Sequence, residues 1–291
     1  MELLIVLGRV LFSSFSNVFQ KRLTHDGLHP FFIVMMSYLV LTIICVPLLW
    51  TFNSTELTAY FWINSFFAAL LDMAGTLFLV MSLSKTDLSV FGPLNAYKVV
   101  ISMIFAMLFL GEIPSGQGFA GVAIIVIGSF FLFPANNSQI NSNRILQLVS
   151  ERGVQYRFLS ILLFSIGTLP LKNAVVAGGP IATTVFWCLI GFPLAVFAHH
   201  WFIKSKLKTN IEQSIKHVYD FLYLGMLIFL MQYMTMLVLS ELFIAYSLAL
   251  FQLSMVLQVF LGYRIFNEKH IARRLLASLV MIAGSLLVID A

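Results

Sequence analysis

The chain has 291 residues, 60% of them hydrophobic and only 10% charged, with a formal net charge of +5. A soluble domain of this length needs polar surface to cover its core, and this composition excludes one. Apolar runs of about 20 residues, each enough to cross a bilayer as a helix, recur from end to end and make this an all-α polytopic membrane protein.

Ten transmembrane helices are predicted, over residues 3–21, 30–51, 60–82, 88–110, 116–134, 156–175, 180–203, 219–239, 243–265 and 271–289. The first carries Arg9, Asn17 and Gln20 and lacks a small-residue cleavage site, so it reads as a span rather than a cleaved signal. Cys45 and Cys188 lie inside apolar runs and read as small packing residues, not as a disulfide framework. "SKTD" joins the third and fourth spans, "GEIPSG" the fourth and fifth, and "AGGP" the sixth and seventh. Links this short make successive helices antiparallel neighbours. A longer polar link divides the chain into a five-helix repeat at 1–135, a loop at 136–155 and a second five-helix repeat at 156–291. The other long link, "KSKLKTNIEQSIKHVYD", is expected to hold a short interfacial helix.

Call the amino-terminal side A and the opposite side B. The B loops receive Lys21, Arg22, Lys85, Arg144, Arg152, Arg157, Lys204, Lys206, Lys208, Lys216, Arg264, Lys269, Arg273 and Arg274, which is 14 of the 17 Lys and Arg. Only Lys172 falls on side A, while Arg9 and Lys98 lie within spans. The positive-inside rule then puts B in the cytoplasm and both termini outside, in a bacterial inner (plasma) membrane. It also accounts for the net charge without a nucleic-acid partner.

Leu83–Phe133 lies over Leu239–Ile289 at a constant offset of 156 without a gap. Leu83-Ser84 meets Leu239-Ser240, Glu112 meets Glu268, and Gly128-Ser129 meets Gly284-Ser285. Lys21 and Lys172 close the first helix of each half, and Pro30 and Pro180 open the second. Five is an odd number of crossings, so the second half is inverted relative to the first, a signature of secondary transporters. On these features, and on "LFLGEIPSGQGFAGVAIIVIGSFFL" with its counterpart "RIFNEKHIARRLLASLVMIAGSLLV", the chain resembles the ten-helix EamA-type members of the drug/metabolite transporter superfamily. The resemblance implies ten helices around a central cavity, alternating access, and a cargo of amino acids, other small metabolites or nucleotide-linked sugars. Many such members are exporters. Familiar members carry basic residues before helix one and after helix two; here the positive loops are on the other side.

Candidate site residues sit at mid-depth. A lysine in hydrocarbon costs about 2.5–3.5 kcal/mol on insertion scales, so Lys98 needs a partner. Asp72 and Lys98 each lie some ten residues from the B end of adjacent antiparallel helices, so they share a depth and offset each other's burial cost. They either line a pathway or pin the third helix to the fourth. The repeat maps Lys98 and Ser102 onto Ser254 and Gln258, and Thr76 onto Gln232. Asn95 and Gln252 sit near these stripes, and Arg9, Ser13 and Asn17 share one face of the first helix. Tyr97, Trp187 and Tyr246 are further cavity candidates, and His199-His200 are expected at the interface. Glu112 and Glu268 are expected to cap the helices that follow them. Gly167, Pro170, Gly191 and Pro193 can bend the sixth and seventh helices.

A cavity with both signs of charge suits a zwitterion. Lys98 and Arg9 meet its carboxylate, and Asp72 meets its ammonium or carries a proton. The expected function is secondary active transport of a small polar, amino-acid-like metabolite by a monomer or homodimer among membrane lipids. The alternative is a flippase or translocator for a lipid-linked sugar or phosphorylated metabolite, with Arg144, Arg152 and Arg157 as a basic groove. No H-E-x-x-H or G-x-S-x-G motif points to an enzyme, and no cofactor or metal site is expected.

Overall fold

The computed structural model describes residues 2–51, 57–105, 115–129, 131–132, 150–203, 215–241, 247 and 250–289. Among them every regular element is helical: α1 Glu2–His25, α2 Pro30–Cys45 with a 3-10 extension Val46–Thr51, α3 Ala59–Leu83, α4 Leu88–Phe91, α5 Tyr97–Phe105, α6 Gly116–Ser129, α7 Arg152–Phe202, α8 Val218–Glu241, α9 Ser254–Phe266 and α10 Ile271–Ile289. Six described stretches are long and apolar enough to cross a membrane: 30–51, 59–83, 88–105, 152–202, 218–241 and 271–288.

Local chemistry sets the ends. Pro30 opens α2, where its missing N–H costs nothing, and the side chain of His29 accepts the Phe31 N–H at 3.4 Å. Thr58 caps α3 by accepting the Phe61 N–H at 3.3 Å. In α7 the "AGGP" link forms no loop. The helix breaks at Gly179, whose φ of 78° and ψ of 166° suit glycine, and restarts at Pro180, giving two arms. Pro170 and Pro193 lie inside the arms without ending them.

Where the fourth and ninth spans are described, each is interrupted by a short 3-10 or turn segment within a right-handed backbone. Gly92 continues α4 in right-handed conformation, Pro93–Ala96 form a 3-10 turn, and α5 starts at Tyr97. Opposite, the chain turns at Gln252 and Leu253 before α9 begins at Ser254. A proline inside an apolar run removes one backbone donor, which accounts for the first break.

The packing pairs helices from the two ends of the chain, always antiparallel. In α1 and α8, Arg9 bonds Thr235 while Phe19 stacks on Tyr223. In α2 and the second arm of α7, a side chain at Gly191 would run into the Tyr38 ring, and Phe32 meets His199. In α3 and the first arm, Gly75 faces Phe164 and Asn173 bonds Asn64. In α6 and α10, Gly121 faces Gly284 and Gly128 faces Met281. Finally, Gly92 faces Gln258 while Ser89 meets Glu268, so the α4 segment runs against α9. Close approach at glycine is how helices gain contact in lipid, where no hydrophobic drive separates them from solvent. Cys45 and Cys188 are buried in the same core cluster, as expected of packing residues.

Three of the cations assigned to B-side loops are buried. Lys21, Arg157 and Arg274 are 8%, 4% and 5% exposed, because each helix runs past the boundary expected for it or packs its end against another. Arg22, Lys85, Arg152, Lys216, Arg264 and Lys269 are exposed. Lys172, expected at an A-side helix end, lies within α7 and donates to the Leu239 carbonyl. Of the histidine pair, His200 is exposed but His199 is buried against Phe32. Arg144, Lys204, Lys206, Lys208, Glu112 and Tyr246 lie outside the described residues.

Candidate functional site

One cavity of about 1240 Å³, its open mouth included, runs between the antiparallel pairs. Its lining includes Arg9, Asn17, Asp72, Asn95, Lys98, Gln232, Gln252, Ser254 and Gln258. These are nine of the ten residues expected to meet there; the side chain of the tenth, Ser102, lies outside the described atoms. Ser13 and Thr76 line it as well. The residues come from α1, α3, the α4–α5 segment, α8 and α9, so both ends of the chain contribute.

Asp72 is 7% exposed on α3. Its Oδ2 accepts the indole N–H of Trp187, from the second arm of α7, at 3.0 Å. Gly167 brings the first arm against the carboxylate: a Cβ there would sit 3.1 Å from Oδ1. Lys98 and Asp72 attract each other within the cavity, and Lys98 also feels Arg9 and Arg157. The shared depth deduced from the short α3–α4 link thus brings the two charges to one chamber, with Trp187 as an additional partner of the carboxylate.

The guanidinium carbon of Arg9 lies over the Phe251 ring, 3.7 Å from its centroid, and its Nε donates to Thr235 Oγ1 at 3.3 Å. A guanidinium is weakly hydrated and stacks well, so an aromatic face lowers its cost of burial. Arg157 is held the same way over Phe91, at 3.9 Å, and donates to Asn95 Oδ1 at 3.1 Å. Asn95 in turn donates to Gln252 Oε1 at 3.3 Å, tying the two helix breaks together.

Arg157, expected in a basic groove only under the flippase alternative, lines the cavity, as do Tyr38 and Gln20, which sequence reasoning missed. Arg157 was counted with the loop cations because its span was started one residue before it. Its signal was present in the helix beginning at Arg152, which sets Arg157 more than a turn inside. Gln20 stood in the first span on the face that continues from Arg9, Ser13 and Asn17 by helical spacing. Tyr38 lies in a run of apolar residues and carried no signal.

Glu268, expected to cap the helix after it, caps another one. It binds the first amides of α4 and pairs with Lys21 at 3.4 Å and Arg274 at 3.5 Å. Arg274 reaches on to Asp87 at 2.8 Å.

Residues 1–133 match the EamA-like transporter family. They belong to it. The match covers the first 133 of 291 residues, and the family it names is one of transporters. A solved crystal structure aligns with 98% of this chain and 95% of its own, at a TM-score of 0.66 and 12% identity. That likeness shows a shared fold over nearly the whole length, beyond the EamA-like half. No curated protein matches the chain.

Proposed function

We propose that the chain is a secondary active transporter that carries a small polar, amino-acid-like metabolite across the membrane by alternating access, with Asp72 able to carry a coupled proton. The observation that carries this reading is the convergence of charged and polar side chains from both ends of the chain on one cavity at the broken helices. Charged and polar side chains gathered around one cavity in an otherwise apolar helical chain suit a polar substrate's pathway better than a packed core.

The proposed architecture is ten spans in two inverted five-helix repeats. It is supported by α6 against α10 and by the α4 segment against α9. These pairs are equivalent under the offset of 156, and the members of each pair run in opposite directions. A two-fold axis in the membrane plane has this consequence. The exposed cations of the B face support the reading that this face lies in the cytoplasm of a bacterial inner membrane.

The test is counterflow in liposomes holding the purified protein, screened with amino acids, amines, organic acids, nucleosides and sugar phosphates. Exchange of one soluble class, driven further by an imposed proton gradient, is expected. Exchange of none, with scrambling of a labelled lipid-linked sugar, would replace this reading with the flippase.

A further inference from the structure

At the crossing of the two broken helices, the cavity holds hydrogen-bonding capacity that the protein does not use. Arg157 uses one terminal nitrogen on Asn95, and its guanidinium carbon lies 3.9 Å from the centre of the Phe91 ring. Its Nε is buried without a partner. So are the amide nitrogen of Gln252 and the amide oxygen of Gln258, on residues 1% and 3% exposed. Turning the Gln258 amide about its last bond exchanges oxygen for nitrogen, so it too can present a donor. Buried donors left unpaired each cost about 1–3 kcal/mol and are rare in native interiors unless something binds them.

Charge points the same way. Among the described lining residues, Arg9, Lys98 and Arg157 stand against the single carboxylate of Asp72. A zwitterion would leave that excess in place; a group with negative charge to spare would reduce it.

We propose that this crossing is an oxyanion subsite, in which Arg157, aimed by Asn95, receives a carboxylate or phosphate group and Gln252 completes the contact, so that the transported metabolite is a net anion. The proposal rests on the transport reading for its biological use, though not for the binding itself. Asn95 is a positioning residue: its oxygen holds Arg157 and its nitrogen holds Gln252. Arg157→Lys keeps the charge but loses the flat fork that meets two oxygens at once.

The experiment measures ligand-induced thermal stabilisation and calorimetric affinity of the purified full-length protein. The probes are inorganic phosphate, succinate, alanine, ethanolamine and glucose. Phosphate or succinate is expected to bind, and ethanolamine and glucose are not. Phosphate alone assigns a phosphoryl group, succinate alone a carboxylate, and both an oxyanion of either kind. Loss of a charge-assisted contact corresponds to about tenfold or more in affinity. Arg157→Gln is therefore expected to weaken oxyanion binding at least about tenfold, Arg157→Lys less, and Asn95→Ala to an intermediate degree. Lys269→Gln, on the surface, leaves it unchanged. Should Arg157→Gln fail to fold, Asn95→Ala carries the test. Binding of neither anion to wild type, or anion affinity unchanged in folded Arg157→Gln or Asn95→Ala, overturns the subsite. Counterflow of some other class of solute would then leave the transport reading standing. Oxyanion binding without any counterflow would sink transport and keep the subsite.

Discussion

Glu268 closes the amino end of a helix that begins 180 residues earlier, at Leu88: its Oε1 accepts the Leu88 N–H at 2.7 Å. Oε2 accepts the next amide, Ser89, at 2.9 Å and also the Ser89 hydroxyl. Lys21 and Arg274 flank the carboxylate, so it is buried, capped and paired at once. Gly262 makes room, because a Cβ there would lie 2.5 Å from Oε2. This cluster ties α1, α4, α9 and α10 together on the B side of the cavity.

Removing that charge leaves two buried cations under-compensated. Glu268→Gln is expected to lower stability by about 3 kcal/mol, the usual scale for breaking a buried pair from one side. The measurement is the thermal unfolding midpoint in detergent, with exposed Lys269→Gln as the control. A Glu268→Gln midpoint equal to wild type would mean that solvent already screens the cluster.

Gly121 and Gly284 meet backbone to backbone: a Cβ on either would sit 2.7 Å from the carbonyl oxygen of the other. Gly121→Leu and Gly284→Leu should therefore each push α6 off α10, at about 1–3 kcal/mol for overpacking a close contact. Both variants should unfold at lower temperature than wild type. Gly116→Leu, where a Cβ would meet nothing within 4 Å, should not.

The Asp72–Trp187 bond supplies an optical probe. Trp187 is 4% exposed, whereas Trp50, Trp62 and Trp201 are 82%, 37% and 64% exposed. Substrate that reaches Asp72 is expected to change tryptophan emission, and the change should vanish in Trp187→Phe while binding by calorimetry persists. A signal that survives the substitution would place the ligand elsewhere.

Asp72→Asn keeps an oxygen for the Trp187 N–H and removes only the charge. Stability is expected to fall, because Lys98 loses the carboxylate that offsets its burial beside Arg9 and Arg157. Stimulation of uptake by a proton gradient should be lost, while an anionic ligand, facing three cations and no carboxylate, binds several-fold tighter. Full gradient-driven uptake in Asp72→Asn would remove this residue from the coupling path.

Orientation is tested by labelling from outside intact cells with a membrane-impermeant maleimide. Cys45 and Cys188 are both 0% exposed and should stay silent. Thr51→Cys should react in intact cells, and Lys269→Cys only in inverted vesicles. The opposite pattern would reverse the assigned topology.

The amino-acid sequence by itself determined the class of the protein, most helix ends and the depth of its intramembrane charges. These follow from local properties: run length, proline at Pro30 and Pro180, and rise per residue counted from a short turn to Asp72 and Lys98. The offset of 156 likewise needed only residue order, and it pointed to the polar positions on α8 and α9 that line the cavity. Tertiary structure alone decided which partners the long side chains chose. Glu268 caps α4 rather than the next helix because α9 lies against α4 at Gly262. Arg157 turns into the cavity rather than to the headgroups because Phe91 and Asn95 wait beside its helix, and Asp72 finds Trp187 because the second arm of α7 crosses behind it. A long side chain at a helix end reaches whichever helix is adjacent, and adjacency is set by packing between segments far apart in the chain, which no local pattern of residues records.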